Sequence, residues 1–172
     1  ANHVRRYVGP PENVLHEFLS HLVHIDIHVV SPSDERPYYT LVTSGMSDRP
    51  MEAPPIPQAI EYAELMLCLP PDWRLGAEAF QDERYYWPIR MLIFLARYPH
   101  ENNTWFGYDH TIGGEQGEAA DRESLSGALL TIPSLFESEF SLLSMGPHKR
   151  IHFLAVIPLY PIEVQYSLAQ GK

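Results

Sequence analysis

From His24 to Val29 the chain alternates strictly. Ile25, Ile27 and Val29 are apolar, and His24, Asp26 and His28 are polar. A period of two is the pattern of a strand with one face buried and the other open. It predicts a strand over Leu22–Val30, ended by the turn residues Ser31-Pro32-Ser33-Asp34. Tyr38–Thr43 is rich in aromatic and β-branched residues and predicts a second strand, making an antiparallel hairpin with the first. Just upstream, Asn13–Leu19 fits a short helix or a strand equally well.

After the hairpin, Gly45–Gln58 has no period and holds Pro50, Pro54, Pro55 and Pro57, which predicts an extended loop. Ala63–Leu69 predicts a third strand, stopped by Pro70-Pro71. A helical turn is expected within Trp73–Asp82. The strongest helical pattern is Trp87–Tyr98. There Ile89, Leu92, Ile93 and Ala96 share a face, Met91, Phe94 and Leu95 broaden it, and Arg90 and Arg97 mark the polar side. Pro88 suits the first helical turn, and Pro99 is a stop. Thr104–Ile112 and Ala128–Ile132 predict short strands, separated by the acidic, glycine-rich loop Gly113–Ser124. Ile151–Leu159 alternates weakly, as a central strand does. Pro161–Leu168 predicts a last helix. Strands and helices mix without βαβ alternation. The expected class is therefore α+β: one domain over residues 1–172, with a central mixed or antiparallel sheet covered by helices.

Charge narrows the partners. The 172 residues carry a net charge of −10, and the largest basic group is His148-Lys149-Arg150. A nucleic-acid binder needs a basic stripe to meet phosphates, so nucleic acid is not expected. An acidic surface favours encounter with a basic protein. Cys68 is the single cysteine, which excludes an intramolecular disulfide and a thiolate metal cluster, and its apolar context reads as a buried thiol. Apolar runs such as Met91–Ala96 are too short to cross a bilayer, so no membrane partner is expected. No secretory segment is evident at the N-terminus, and the expected location is cytoplasmic.

Candidate chemistry centres on the histidines of Val14–Val30. His16-Glu17 opens like a zinc-protease motif. That motif, however, needs a second histidine four residues on, and His21 follows at five, about 140° around a helix from the first. His24, Asp26 and His28 would project from one strand face about 7 Å apart, and two imidazoles with a carboxylate suit a transition metal. A metal-dependent enzyme built on these three, with His16 or His110 assisting, is the alternative reading. The bland reading is a polar strand face bonded to its neighbours. Ser44–Asp48 lacks the strand-to-helix context of a serine nucleophile, and Asp109-His110 is an acid/base pair without a nucleophile. Trp73, Tyr85, Tyr86, Trp87, Trp105, Phe106 and Tyr108 gather around the main helix and read mostly as core.

Several stretches together resemble one family. They are VLHE (14–17), HIDI (24–27), YYTLVTSGMSDRPM (38–51), YAELMLCLP (62–70), YWPIRMLIFLARYPHENNTWFGYDHTI (86–112) and FLAVIPLYPIEVQYSL (153–168). In order and density they resemble the Suppressor of fused family, most closely its short bacterial members, over about residues 9–170. The resemblance implies a mixed α/β domain around a central sheet, no catalytic residues and no cofactor. Animal members look like adaptors that hold Gli-type transcription factors in a cleft between two domains, a property not carried over to a single domain. Bacterial members resemble immunity proteins against polymorphic toxins, and an acidic chain would suit a basic toxin domain. His16, Glu17, His24 and Asp26 are then family-motif polar residues, bonded in the scaffold or facing a partner. The loops expected to bind that partner carry Gly45, Met46, Ser47, Asp48 and Arg49, and Glu115, Glu118, Asp121 and Glu123, because loops on a rigid sheet commonly carry recognition.

Overall fold

A computed structural model describes residues 2–16, 23–113 and 125–171. Its elements are α1 (Asn2–Tyr7), β1 (Asn13–His16), β2 (Asp26–Val30), β3 (Tyr39–Ser44), β4 (Tyr62–Leu69), α2 (Glu83–Glu101), β5 (Thr111–Gly113), β6 (Gly127–Thr131), β7 (Leu142–Ser144), β8 (Arg150–Leu159) and α3 (Pro161–Ala169). The strands form one eight-stranded sheet in the order β1-β2-β3-β4-β8-β6-β5, with β7 also pairing β8. Among these pairs only β4 and β8 run parallel. A parallel pair needs a long crossover, and the chain from α2 through β7 supplies it. The α+β class with a mixed sheet thus holds, and Ile151–Leu159 occupies the central position its weak alternation suggested.

Both faces of the sheet are covered. On one, Ile27, Leu41, Leu65, Leu67, Leu154 and Val156 pack against Ile89, Leu92, Leu95 and Ala96 of α2. On the other, Val42, Met66 and Phe153 meet Val4 of α1 and Phe140 of a 3-10 turn at Ser138–Ser141. Phe140 is fully buried, and His3 Nε2 stands 2.9 Å from its carbonyl oxygen. Phe140→Ala is expected to cost about 3–5 kcal/mol through the cavity it leaves. Urea denaturation measures that loss. Amide exchange should show α1 losing protection first, because α1 is held mainly by this cluster.

Some elements depart from the sequence pattern. The expected strand Leu22–Val30 pairs only from Asp26, yet Val23 and Ile25 remain buried and His24 exposed, so the alternation persists before the ladder starts. Asn13–His16 is strand rather than helix. The main helix begins at Glu83, because the Asp82 carboxylate accepts a 3.0 Å hydrogen bond from the Arg84 amide and caps it. It passes through Pro88 and Pro99 instead of starting and stopping near them. Phe94, expected on the buried face, is 46% exposed. Within Thr104–Ile112 only Thr111 and Ile112 are strand. Asp109 adopts a φ of 64°, a left-handed backbone that breaks a strand despite the aromatic, β-favouring composition. The helical turn within Trp73–Asp82 shrinks to Ala79–Gln81. No helix among the described residues is long and apolar enough to cross a membrane.

Candidate functional site

Where β3 ends, the chain turns sharply at Gly45, with φ 110° and ψ −27°. A Cβ at this position would lie 1.9 Å from the His24 carbonyl oxygen. The loop therefore needs glycine twice over, for its left-handed backbone and for its close approach to the chain entering β2. Met46–Asp48 then makes one 3-10 turn, closed by the Asp48 amide donating to Gly45 O at 3.1 Å.

A buried carboxylate holds this turn. Glu64, inside β4, is 4% exposed. Its Oε1 accepts hydrogen bonds from the Gly45 amide (3.0 Å), the Ser47 amide (3.0 Å) and the Ser47 hydroxyl (2.7 Å). Its Oε2 accepts from the Thr43 hydroxyl at 2.7 Å, and Thr43 Oγ1 in turn accepts from the Leu65 amide at 2.8 Å. Burial pushes the Glu64 carboxyl above its ordinary range, and the hydrogen bonds from Thr43, Ser47 and Gly45 pull it back part of the way. From α2, the imidazole of His100 donates to Met46 O at 3.0 Å, with burial lowering its pKa. Neither Glu64 nor His100 stood out in the sequence reading. The available signal for Glu64 was a lone acid in the otherwise apolar strand YAELMLCL, since a charge in a central strand must be bonded.

Of the residues expected to meet a partner here, Met46 and Ser47 are buried and Gly45 is half-buried, whereas Asp48 and Arg49 are exposed. Glu115, Glu118, Asp121 and Glu123 lie outside the described residues, as do Glu17 and His21.

Beside the turn, β1, β2 and the chain entering β2 gather His16, His24 and His28. His16 and Asp26 face each other directly in the antiparallel register. The imidazole of His16 donates from Nδ1 to Asp26 Oδ1 at 2.9 Å, and His24 Nε2 stands 3.4 Å from the same oxygen. His28 bonds elsewhere: its Nε2 and the Ser44 hydroxyl are 2.9 Å apart, and burial lowers its pKa. The set expected from strand alternation, His24, Asp26 and His28, is thus replaced by His16, His24 and Asp26. Cross-strand neighbours stand closer than residues two apart on one strand.

Other candidate groups have local partners. His110 Nδ1 accepts from the Gly107 amide at 3.2 Å and its ring packs edge-on against Trp105. The Tyr108 hydroxyl and His152 Nδ1 are 3.2 Å apart. Cys68 is half-buried, and burial pushes its thiol up to about 11, so it stays protonated at neutral pH. A groove of about 760 Å³ opens between α2 and the β6 side of the sheet, lined by Trp87, Met91 and Phe94. The ionic groups at its rim are engaged in pairs, Arg90 with Glu83 and Arg84 with Asp82.

These features define an α+β domain with a mixed sheet, in which one buried acid fixes a surface turn. The chain belongs to the Suppressor of fused protein (SUFU) family, whose model matches residues 21–172. Two solved structures share the fold. One is a SUFU homolog from Neisseria gonorrhoeae FA 1090, with a TM-score of 0.62 and 14% identity over 96% of this chain and 78% of that one. The other is a chain of the Sufu–Fu complex, with a TM-score of 0.60 and 14% identity over 98% of this chain and 77% of that one. No curated protein matches the sequence.

Proposed function

We propose that this protein is a non-catalytic protein-binding module, and that its contact face includes Asp48 and Arg49. The observation that carries the reading is the Glu64 anchor. A desolvated carboxylate accepts four hydrogen bonds, one from Thr43 in β3 and three from Gly45 and Ser47, and so immobilises a turn whose outward side chains are Asp48 and Arg49. Burying an acid is costly, and a fixed surface loop is what reduces the entropy lost on binding. The relative crystallised as the Sufu–Fu complex supports the same class of activity.

The concrete version is neutralisation of a basic toxin domain in the cytoplasm, with a regulatory adaptor as the related form. Net charge −10 favours a basic partner, and the acidic residues Glu115, Glu118, Asp121 and Glu123 add to that attraction. The test is capture of partners from native-host lysate on immobilised protein, with mass spectrometry of what is retained. Wild type should retain one dominant basic protein, ideally the product of an adjacent gene. The charge-swapped variant Asp48→Lys/Arg49→Glu keeps the net charge and should retain roughly tenfold less, as expected when a central polar contact is reversed. Equal retention by both would remove this turn from the interface. Failure to retain any basic neighbour-gene product would remove the toxin reading.

A further inference from the structure

We propose that His16, His24 and Asp26 form a surface binding site for a zinc-class divalent transition ion. Their ligand atoms, one nitrogen from each histidine and one carboxylate oxygen, all lie within 4.8 Å of one another. Ligands about 2.0–2.1 Å from zinc in a tetrahedron sit roughly 3.3 Å apart. His16 Nδ1 and His24 Nε2 are 2.9 and 3.4 Å from Asp26 Oδ1, so small side-chain rotations bring the set onto one ion.

Three further features favour a site over a chance surface cluster. First, the ligand types match the metal class: imidazole suits zinc, copper and nickel, and a carboxylate completes a three-ligand set that leaves coordination positions open. Second, the backbone under each ligand is fixed. His16 and Asp26 are opposed in the β1–β2 ladder, and the His24 carbonyl sits against Gly45, where no side chain fits. Third, the histidine side chains are more than half exposed, at 57% and 56%. They reach solvent without opening the core, and water can fill the remaining positions. An ion here would tie the edge strand β1 to the chain entering β2. This inference stands independently of the partner-binding reading, because metal binding is read without any partner.

Tag-free protein, stripped with chelator and dialysed, is titrated with Zn2+ by calorimetry and with Co2+ by visible absorption. One equivalent of Zn2+ should bind with Kd of about 10 μM or tighter, and Co2+ should give d–d bands. His24→Ala and Asp26→Ala should each weaken binding at least about tenfold, as loss of a ligand does. His28→Ala should leave the titration unchanged, because His28 bonds Ser44 instead. Circular dichroism confirms that the variants fold. A Kd weaker than about 100 μM, or His24→Ala and Asp26→Ala titrating like wild type, would overturn the assignment.

Discussion

Glu64→Ala is expected to destabilise the protein by about 3–5 kcal/mol, the range for removing one partner from a buried charged network. The substitution leaves the Gly45 and Ser47 amides and the Ser47 and Thr43 hydroxyls without their acceptor. Glu64→Gln should be much milder, about 1 kcal/mol. Its carbonyl oxygen can take the place of Oε1 for the Gly45 and Ser47 donors. Its amide can donate to Thr43 Oγ1 once the threonine hydroxyl turns away. Urea denaturation of the three proteins gives the ranking, and equal losses in the two variants would show that volume, not hydrogen bonding, is the issue.

The same pair of proteins reads the pH dependence. Burial raises the Glu64 carboxyl above its ordinary range in the folded state. A raised acid binds its proton more tightly folded than unfolded. Its contribution to stability is therefore fully present below the unfolded pKa and is lost as pH rises through the folded one. Wild-type stability relative to Glu64→Gln should fall over that window on going from acid toward neutral pH. A difference that rises with pH would mean that the four donors outweigh desolvation.

Gly45→Ala is expected to cost at least about 3 kcal/mol, combining left-handed backbone strain with a clash against main chain. The clash is with the His24 carbonyl at 1.9 Å, and neither backbone can swing aside as a side chain would. Gly76→Ala is the control. Gly76 also has positive φ, 138°, but a Cβ there meets nothing within 4 Å, so strain alone should cost about 1–2 kcal/mol. Thermal denaturation separates the two, and similar losses would rule out the clash. Because Gly45 bonds directly to Glu64, the double variant Gly45→Ala/Glu64→Ala should lose less than the sum of the singles.

The turn and the histidine cluster differ in how far local pattern revealed them. Strict alternation located β2, aromatic and β-branched composition located β3, an apolar run with weak alternation located β8, and a proline at the helix start located α3, which buries only Val164. The local pattern overlooked α1, which has six residues, and β7, which has three. Segments that short hold too few positions for a period. It placed the start of α2 at Trp87 because the apolar stripe begins there, whereas the helix begins at the Asp82 cap. For the histidine cluster, alternation grouped His24, Asp26 and His28 with His16 or His110 assisting, and the structure brings His16, His24 and Asp26 together. Alternation along β2 selects His28, while the register with β1 selects His16.

The order of apolar and polar residues determined the class of fold and the strand that sits at its centre. Those follow from the need of each strand or helix to bury its apolar side, which is a property of neighbours along the chain. Only the tertiary structure decided that Glu64 grips the turn after β3, that Met46 and Ser47 point inward while Asp48 and Arg49 point out, and that His16 joins Asp26. Each of those depends on strand register and on contacts between segments far apart in sequence, and a hydrogen bond across 19 residues, as between Glu64 and Gly45, leaves no periodic trace in either segment.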